Sequence, residues 1–476
     1  MEIVMGRGKY LAKNTALFAL NVVGTKLIAF LLVPLYTNAF KTEEYGVVDL
    51  INTIAVILVP VITLNIGEAV MRFGIDEETD KNDISSIAIL FAIFSLFLGF
   101  LVIPIMRFFP AMQTSSPLVY LFCVSQGLYL TFSYNLRGQE KLAQYAIGNI
   151  LCTFFMAGFN ILFLVVFKLG IEGYFYAYII AYSISALYCV AVGDVFKTIR
   201  NFRIKPSLAK QMVKYSIVLV PNSFMWWIMN SSDHIMVTSM IGAAANGVYA
   251  ISYRIPSILT AFSQVFNQAW SYSAIREDKS NDRASFNNNM YDKLVRSQLL
   301  ITSFLILIMK PFLRIYVSEA YYEAWKYTPY LLVGYFFLTM GTFLSTSYTV
   351  NKDSKGFLIS GTTGALINVV LNALLIPLVG IHGAAFATCI SYIFVFLYRV
   401  HDTKKYIIID VFKKEYVIGY ILVIITGASM FIDGNIGLAV LATEFILCII
   451  LNMRFIRECV EIGKASAKMI FGRLKK

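Results

Sequence analysis

Stretches of about 20 apolar residues recur along this chain, with short polar breaks between them. Twenty helical residues rise about 30 Å, the thickness of a bilayer's hydrocarbon core. In hydrocarbon, backbone N–H and C=O groups must be satisfied by the protein itself, so stretches of this length are read as helices. The pattern predicts fourteen spans: 13–39, 46–71, 84–106, 117–136, 142–167, 172–194, 212–240, 246–271, 294–317, 328–350, 356–379, 382–401, 416–432 and 435–453. Composition agrees: 58% of the 476 residues are hydrophobic and 14% charged, against about 25% charged in a soluble domain. The expected fold class is an all-α polytopic membrane protein. "MEIVMGRGKYLAKN" is a short basic lead into a span too long for a signal-peptide core, so the first span is expected to stay as an anchor.

Lysine and arginine in the loops set the orientation. With the N-terminus inside, 32 of the 40 fall on inside segments. The outside loops hold Lys41, Arg107, Lys168, Lys310, Arg314 and Lys326, and Lys26 and Arg254 lie within spans. Both termini are therefore expected in the cytoplasm. The asymmetry accounts for the net charge of +12; with no soluble domain to carry the charge, a nucleic-acid partner is not expected. The six cysteines form no CxxC and are read as small hydrophobes, and the three scattered histidines suggest no metal site. No phosphate-binding GxxxxGKS motif is present, and no outside loop is long enough for an external catalytic segment, which argues against an enzyme.

The chain repeats itself. "GIEGYFYAYIIAYSISALY" (170–188) and "GIHGAAFATCISYIFVFLY" (380–398) agree at eight of nineteen positions, at an offset of 210. "EYGVVDLINTIAVIL" (44–58) and "ANGVYAISYRIPSIL" (245–259) agree at five of fifteen, at an offset of 201. An even number of spans separates equivalent positions, so the copies run parallel. The expected architecture is two six-helix lobes, 1–194 and 212–405, joined by the basic linker 195–211, with 406–476 holding two further helices and a basic tail. A repeat of this kind places a substrate site at the interface between its halves.

Charge at membrane depth normally faces a cavity or a partner. Arg254 lies about 12 Å below the outer end of span eight. It heads a polar or small stripe of Ser257, Ala261, Gln264, Gln268 and Ser271, which a water-filled cleft or a hydrogen-bonded seam between helices would tolerate. Its repeat equivalent is Thr53; a charge in only one copy favours a substrate-facing role. Lys26 sits halfway through span one. Glu68 and Arg72 have the i,i+4 spacing of a helix ion pair. Asp233 beside His234 could carry protons or form a satisfied polar cluster.

Several segments together resemble the Wzx-like oligosaccharide flippase family of the multidrug/oligosaccharidyl-lipid/polysaccharide exporter superfamily. They are residues 13–51, "GEAVMRF" (67–73), "ANGVYAISYRIPSIL", and the "GIEG" and "GIHG" turns. The resemblance implies a MATE-like fold of six, six and two helices in the cytoplasmic membrane. It implies export of undecaprenyl-pyrophosphate-linked oligosaccharide for surface polysaccharide. Lys26, Arg254, Gln264, Gln268 and Arg72 would then hold substrate, and Glu68, Asp233 and His234 would couple H+ or Na+. Implied partners are the lipid-linked oligosaccharide, membrane lipid, and polysaccharide polymerase and chain-length proteins. Rival readings are a MATE-type drug or cation antiporter, a lipid II flippase, and a membrane scaffold that transports nothing. The charge asymmetry makes one direct prediction: a cysteine placed at Asn288 is labelled from the cytoplasmic side only, and outside labelling would reverse the topology.

Overall fold

The computed structural model describes residues 24, 26–76, 79–101, 103–104, 116–276, 282–351, 353–461 and 464. Among them, nine helices are long and apolar enough to cross a membrane. In chain order the elements are α1 (Lys26–Ala39), α2 (Thr42–Ile62), α3 (Ile66–Gly74), α4 (Lys81–Gly99), α5 (Ser116–Gly138), α6 (Leu142–Val166, closing in a wide turn), α7 (Gly170–Val192) and α8 (Val195–Arg200). Then follow α9 (Pro206–Met240), α10 (Ala243–Ser252), α11 (Pro256–Arg276), α12 (Arg283–Tyr316), α13 (Thr328–Val350), α14 (Ser354–Val379), α15 (Ile381–Asp402), α16 (Lys414–Ser429) and α17 (Gly434–Leu451). The chain is a multi-pass helical membrane protein.

Two expected spans are not continuous. Span two breaks between α2 and α3. Pro60 has no N–H to give, its carbonyl takes the Asn65 amide at 2.8 Å, and Leu64 and Asn65 turn left-handed at φ +50° and +51°. Span eight breaks at residues 253–255, between α10 and α11. Pro256 disfavours helical backbone in the residue before it, and α11 restarts on the proline itself. The polar stripe headed by Arg254 is therefore not one continuous helical face.

The repeat is visible in local geometry. Gly170 and Gly380 occupy equivalent positions and are both left-handed, at φ +59° and +62°, a conformation a side chain would strain. Each stands at the start of the next helix, where the chain folds back on the last one: α7 packs on α6, and α15 on α14. Gly173 and Gly383, also equivalent, permit that approach. A Cβ on Gly383 would lie 2.5 Å from the Leu375 backbone of α14, and one on Gly173 would lie 3.1 Å from the Phe163 Cβ of α6. The exposed partners correspond as well: only 17% of the apolar window of α6 and 28% of that of α14 is buried, against 72% for α2 and 78% for α13. The first two are lipid-facing and the last two central.

The chain divides into two compact units, Met1–Ala250 with Val317–Tyr321, and Ile251–Tyr316 with Tyr322–Lys476. The division falls at Ala250, inside span eight, because α9 packs against α2 and α3. In the first unit, Arg203 pairs with Asp80 and Asp83, and Lys141 with Asp194 at 2.7 Å. Ser318 and Tyr321 bond to the carbonyls of Thr37 and Phe40. In the second unit, Arg296 pairs with Asp292 and Glu415, and Lys310 with Asp433. Each of these ties joins segments that the charge asymmetry assigns to one side. Lys141 and Lys197 hold the Asp194 carboxyl down at about 2. A depressed carboxyl contributes above its unfolded value, so this tie is complete at neutral pH and is lost as pH falls toward 2.

The second unit's packing predicts that Gly383→Ala costs about 1–3 kcal/mol through backbone displacement, seen as a lower thermal midpoint in detergent. A Cβ on Gly361 meets nothing within 4 Å, so Gly361→Ala should stay within about 0.5 kcal/mol of the parent.

Candidate functional site

In the first unit, α2 and α10 cross at two glycines. A Cβ on Gly46 would lie 1.8 Å from the Ala243 carbonyl oxygen, and one on Gly247 would lie 2.0 Å from that of Thr42. Only two hydrogens fit in that space, so the two backbones touch. The approach brings together polar side chains from three helices, all near the end assigned to the outside.

Asn246 of α10 is fully buried. Its Nδ2 donates to the Gly46 carbonyl at 3.0 Å and to Asp49 Oδ2 at 3.2 Å. His234 of α9 places Nδ1 2.7 Å from Asp49 Oδ2 and 3.1 Å from Asn246 Oδ1. An ionised carboxylate has no proton to donate, so Nδ1 carries the hydrogen and Asp49, the nearer acceptor, receives it. Asp233 faces a different partner, as adjacent helical residues must. Its Oδ2 accepts from the buried Tyr249 hydroxyl at 2.7 Å, and its Oδ1 from the His234 amide at 3.0 Å. Deeper along the same helix pair, Trp227 Nε1 donates to the Thr53 carbonyl at 2.6 Å. Two carboxylates and an imidazole thus share one buried network able to hold and exchange a proton.

Of the residues singled out in the sequence, this network uses Asp233 and His234. Asp49, Asn246 and Tyr249 were missed, although Asp49 is the one carboxylate in the apolar run 46–62, which was signal enough. Glu68 and Arg72 form no ion pair: Glu68 is half-buried, while Arg72 is exposed. The Tyr134 ring lies against Gly67, where a Cβ would come within 2.5 Å of it. Lys26 is exposed on α1 in the first unit. Arg254, in the second unit, is half-buried in the break before α11, and its carbonyl accepts from the Ser257 hydroxyl. Gln264 is exposed on α11, and the side chain of Gln268 lies outside the described residues. Arg399 was also missed. It is buried in the second unit, donating to Ser360 Oγ and the Gly341 carbonyl at 3.2 Å each, with the Phe357 ring 5.7 Å away.

Residues 11–272, more than half the chain, match the family described as "Polysaccharide biosynthesis protein". The chain belongs to that family. It is 23% identical over 423 residues to an uncharacterised membrane protein of Methanocaldococcus jannaschii, covering 84% of this chain and 100% of that one. The fold is shared with a multidrug resistance MATE family transporter of the MOP superfamily in an inward-facing conformation. There the TM-score is 0.65 at 13% identity, over 81% of this chain and 98% of that one. It is shared too with the lipid II flippase MurJ in an inward closed conformation, at TM-score 0.62 and 15% identity, over 94% and 100%. A MOP superfamily transporter of Pyrococcus furiosus, described as having a binding pocket of reverse polarity, matches at TM-score 0.55 and 13% identity, over 88% and 97%. Both the family and the fold agree with the resemblance seen in the sequence.

Because Asp233 draws on the Tyr249 phenol, Tyr249→Phe should destabilise the first unit by about 1–3 kcal/mol, read as a lower unfolding midpoint.

Proposed function

We propose that this protein exports a lipid-linked oligosaccharide, an undecaprenyl-pyrophosphate-bound unit for surface polysaccharide, across the cytoplasmic membrane by alternating access. Membership of the polysaccharide biosynthesis family carries the reading, and the position of Arg254 supports it. This cation stands at membrane depth in a broken helix, and discontinuous helices are where transporters present backbone and side-chain groups to cargo. A pyrophosphate cannot cross hydrocarbon unaided. A guanidinium suits it because its planar fork donates two parallel hydrogen bonds and stays charged when partly buried. Lys26 is the second contact, a point charge and the weaker of the two, and Gln264, Gln268 and Arg72 serve the sugar and phosphate along the path. The two six-helix lobes, 1–194 and 212–405, move as the alternating halves about the linker 195–211, with both termini in the cytoplasm. The polysaccharide polymerase and chain-length proteins receive the product. The protein transports and does not catalyse.

The carboxylates of the buried network favour coupling to an ion, H+ or Na+, through Asp233 and His234 with Asp49, and Glu68 is a further acid on that unit. A drug or cation antiporter would use similar acids, and a lipid II flippase similar cations, so cargo is the discriminating measurement. Charge-assisted hydrogen bonds contribute about 1.5–3 kcal/mol each, so Arg254→Ala should lower transport by roughly tenfold to a hundredfold. Arg254→Lys should recover part of the loss. The assay is surface-polysaccharide complementation in a deletion strain, with membrane levels followed in parallel. Full activity in Arg254→Ala and in its double mutant with Lys26→Ala would defeat the cationic mechanism.

A further inference from the structure

Gly46 and Gly247 are separated by the 201-residue offset of the repeat, so each is the other's equivalent. They also touch: a Cβ on Gly46 would lie 3.0 Å from the Gly247 amide nitrogen. When equivalent residues of two related copies meet, they meet at the axis relating them, as in any contact made by one surface with its own copy. Rocking one copy against the other changes that contact early. The network seals the same crossing: Asp49 comes from the first copy, and His234 and Asn246 from the second. Asn246 bonds both to the Gly46 backbone and to Asp49, and so ties the glycine crossing to the Asp49–His234 pair.

We propose that Asp49, His234 and Asn246 form a hydrogen-bonded lock that holds the outer ends of α2, α9 and α10 together and must part for the chain to open on that side. The lock rests on the alternating-access reading above and not on the identity of the cargo. Its strength comes from two N–H donors, of His234 and Asn246, meeting one carboxylate where little water competes. Among the described residues, the titratable groups around His234 are Asp49 from α2, Asp233 on its own helix and Tyr249 from α10. Asp233 is occupied by Tyr249, which leaves Asp49 as the partner across the seam. Separating the pair exposes both groups to water, from which the carboxylate can take a proton and with which the imidazole can exchange one, so opening permits proton exchange.

Hydrogen exchange of the full-length protein in lipid nanodiscs, with no cargo added, tests this. Wild-type amides in residues 44–50 and 244–250 should exchange slowly. Asp49→Asn and His234→Gln should each accelerate both segments by about tenfold or more, and the double variant should go no further than either single one. Exchange in α13 should not change, which shows the fold is intact. Wild-type rates in either variant, acceleration confined to the altered helix, or additive effects would each overturn the lock. If α13 also loosens in the single variants, the charge-exchanged Asp49→His/His234→Asp protein decides: slow exchange in both segments supports the lock, and fast exchange defeats it. Because cargo is absent, a failure here leaves the oligosaccharide reading standing, and failed complementation by the Arg254 variants leaves the lock standing.

Discussion

Helices in lipid are not pulled together by the hydrophobic effect, because an acyl chain is as apolar as leucine. Close backbone approach must do that work. In the first unit, α2 meets α10 at Gly46 and Gly247, and α3 meets α5 where a Cβ on Gly74 would lie 2.7 Å from the Gly138 Cα. In the second, α14 receives α15 at Gly383. Dispersion falls steeply with distance, so removing a side chain at a crossing gains contact along the whole line of approach. Everything polar in the site depends on that proximity. Asn246 can bond to the Gly46 carbonyl only because no Cβ keeps the helices apart.

The second constraint is satisfaction of buried polar groups. Leaving one without a partner in a dry environment costs about 1–3 kcal/mol. Asp233, His234, Asp49, Asn246 and Tyr249 answer it collectively, with donors and acceptors shared across three helices. Arg399 answers it with a hydroxyl, a carbonyl and an aromatic face. Lys26 is exposed and Arg254 half-buried, so neither carries the full cost of a dry environment that Arg399 does.

Much of the fold could be read from the chain, and the failures have physical causes. Long apolar runs announce helices because lipid permits little else, and the repeat survives as "GIEG" and "GIHG" because both copies need a left-handed glycine at the same turn. The breaks in spans two and eight were hidden because hydropathy averages over a window and cannot see a three-residue turn. Pro60 and Pro256 marked them, but proline is tolerated in many membrane helices. The Glu68–Arg72 spacing suggested a pair, yet Arg72 is exposed, where an i,i+4 contact is worth too little to hold two long side chains together.

The sequence alone determined that the chain crosses a membrane repeatedly and carries an internal repeat. Both properties are written in local composition and need no knowledge of which helix touches which. It also marked Arg254, Lys26, Asp233 and His234 as residues out of place in lipid. Only the tertiary structure decided which of these meet. Asp49 and His234 are 185 residues apart, and no spacing rule links them; they are neighbours because two glycines let α2 and α10 close on each other. A hydrogen bond needs atoms within about 3 Å, and that scale is set by packing, which a one-dimensional pattern does not carry.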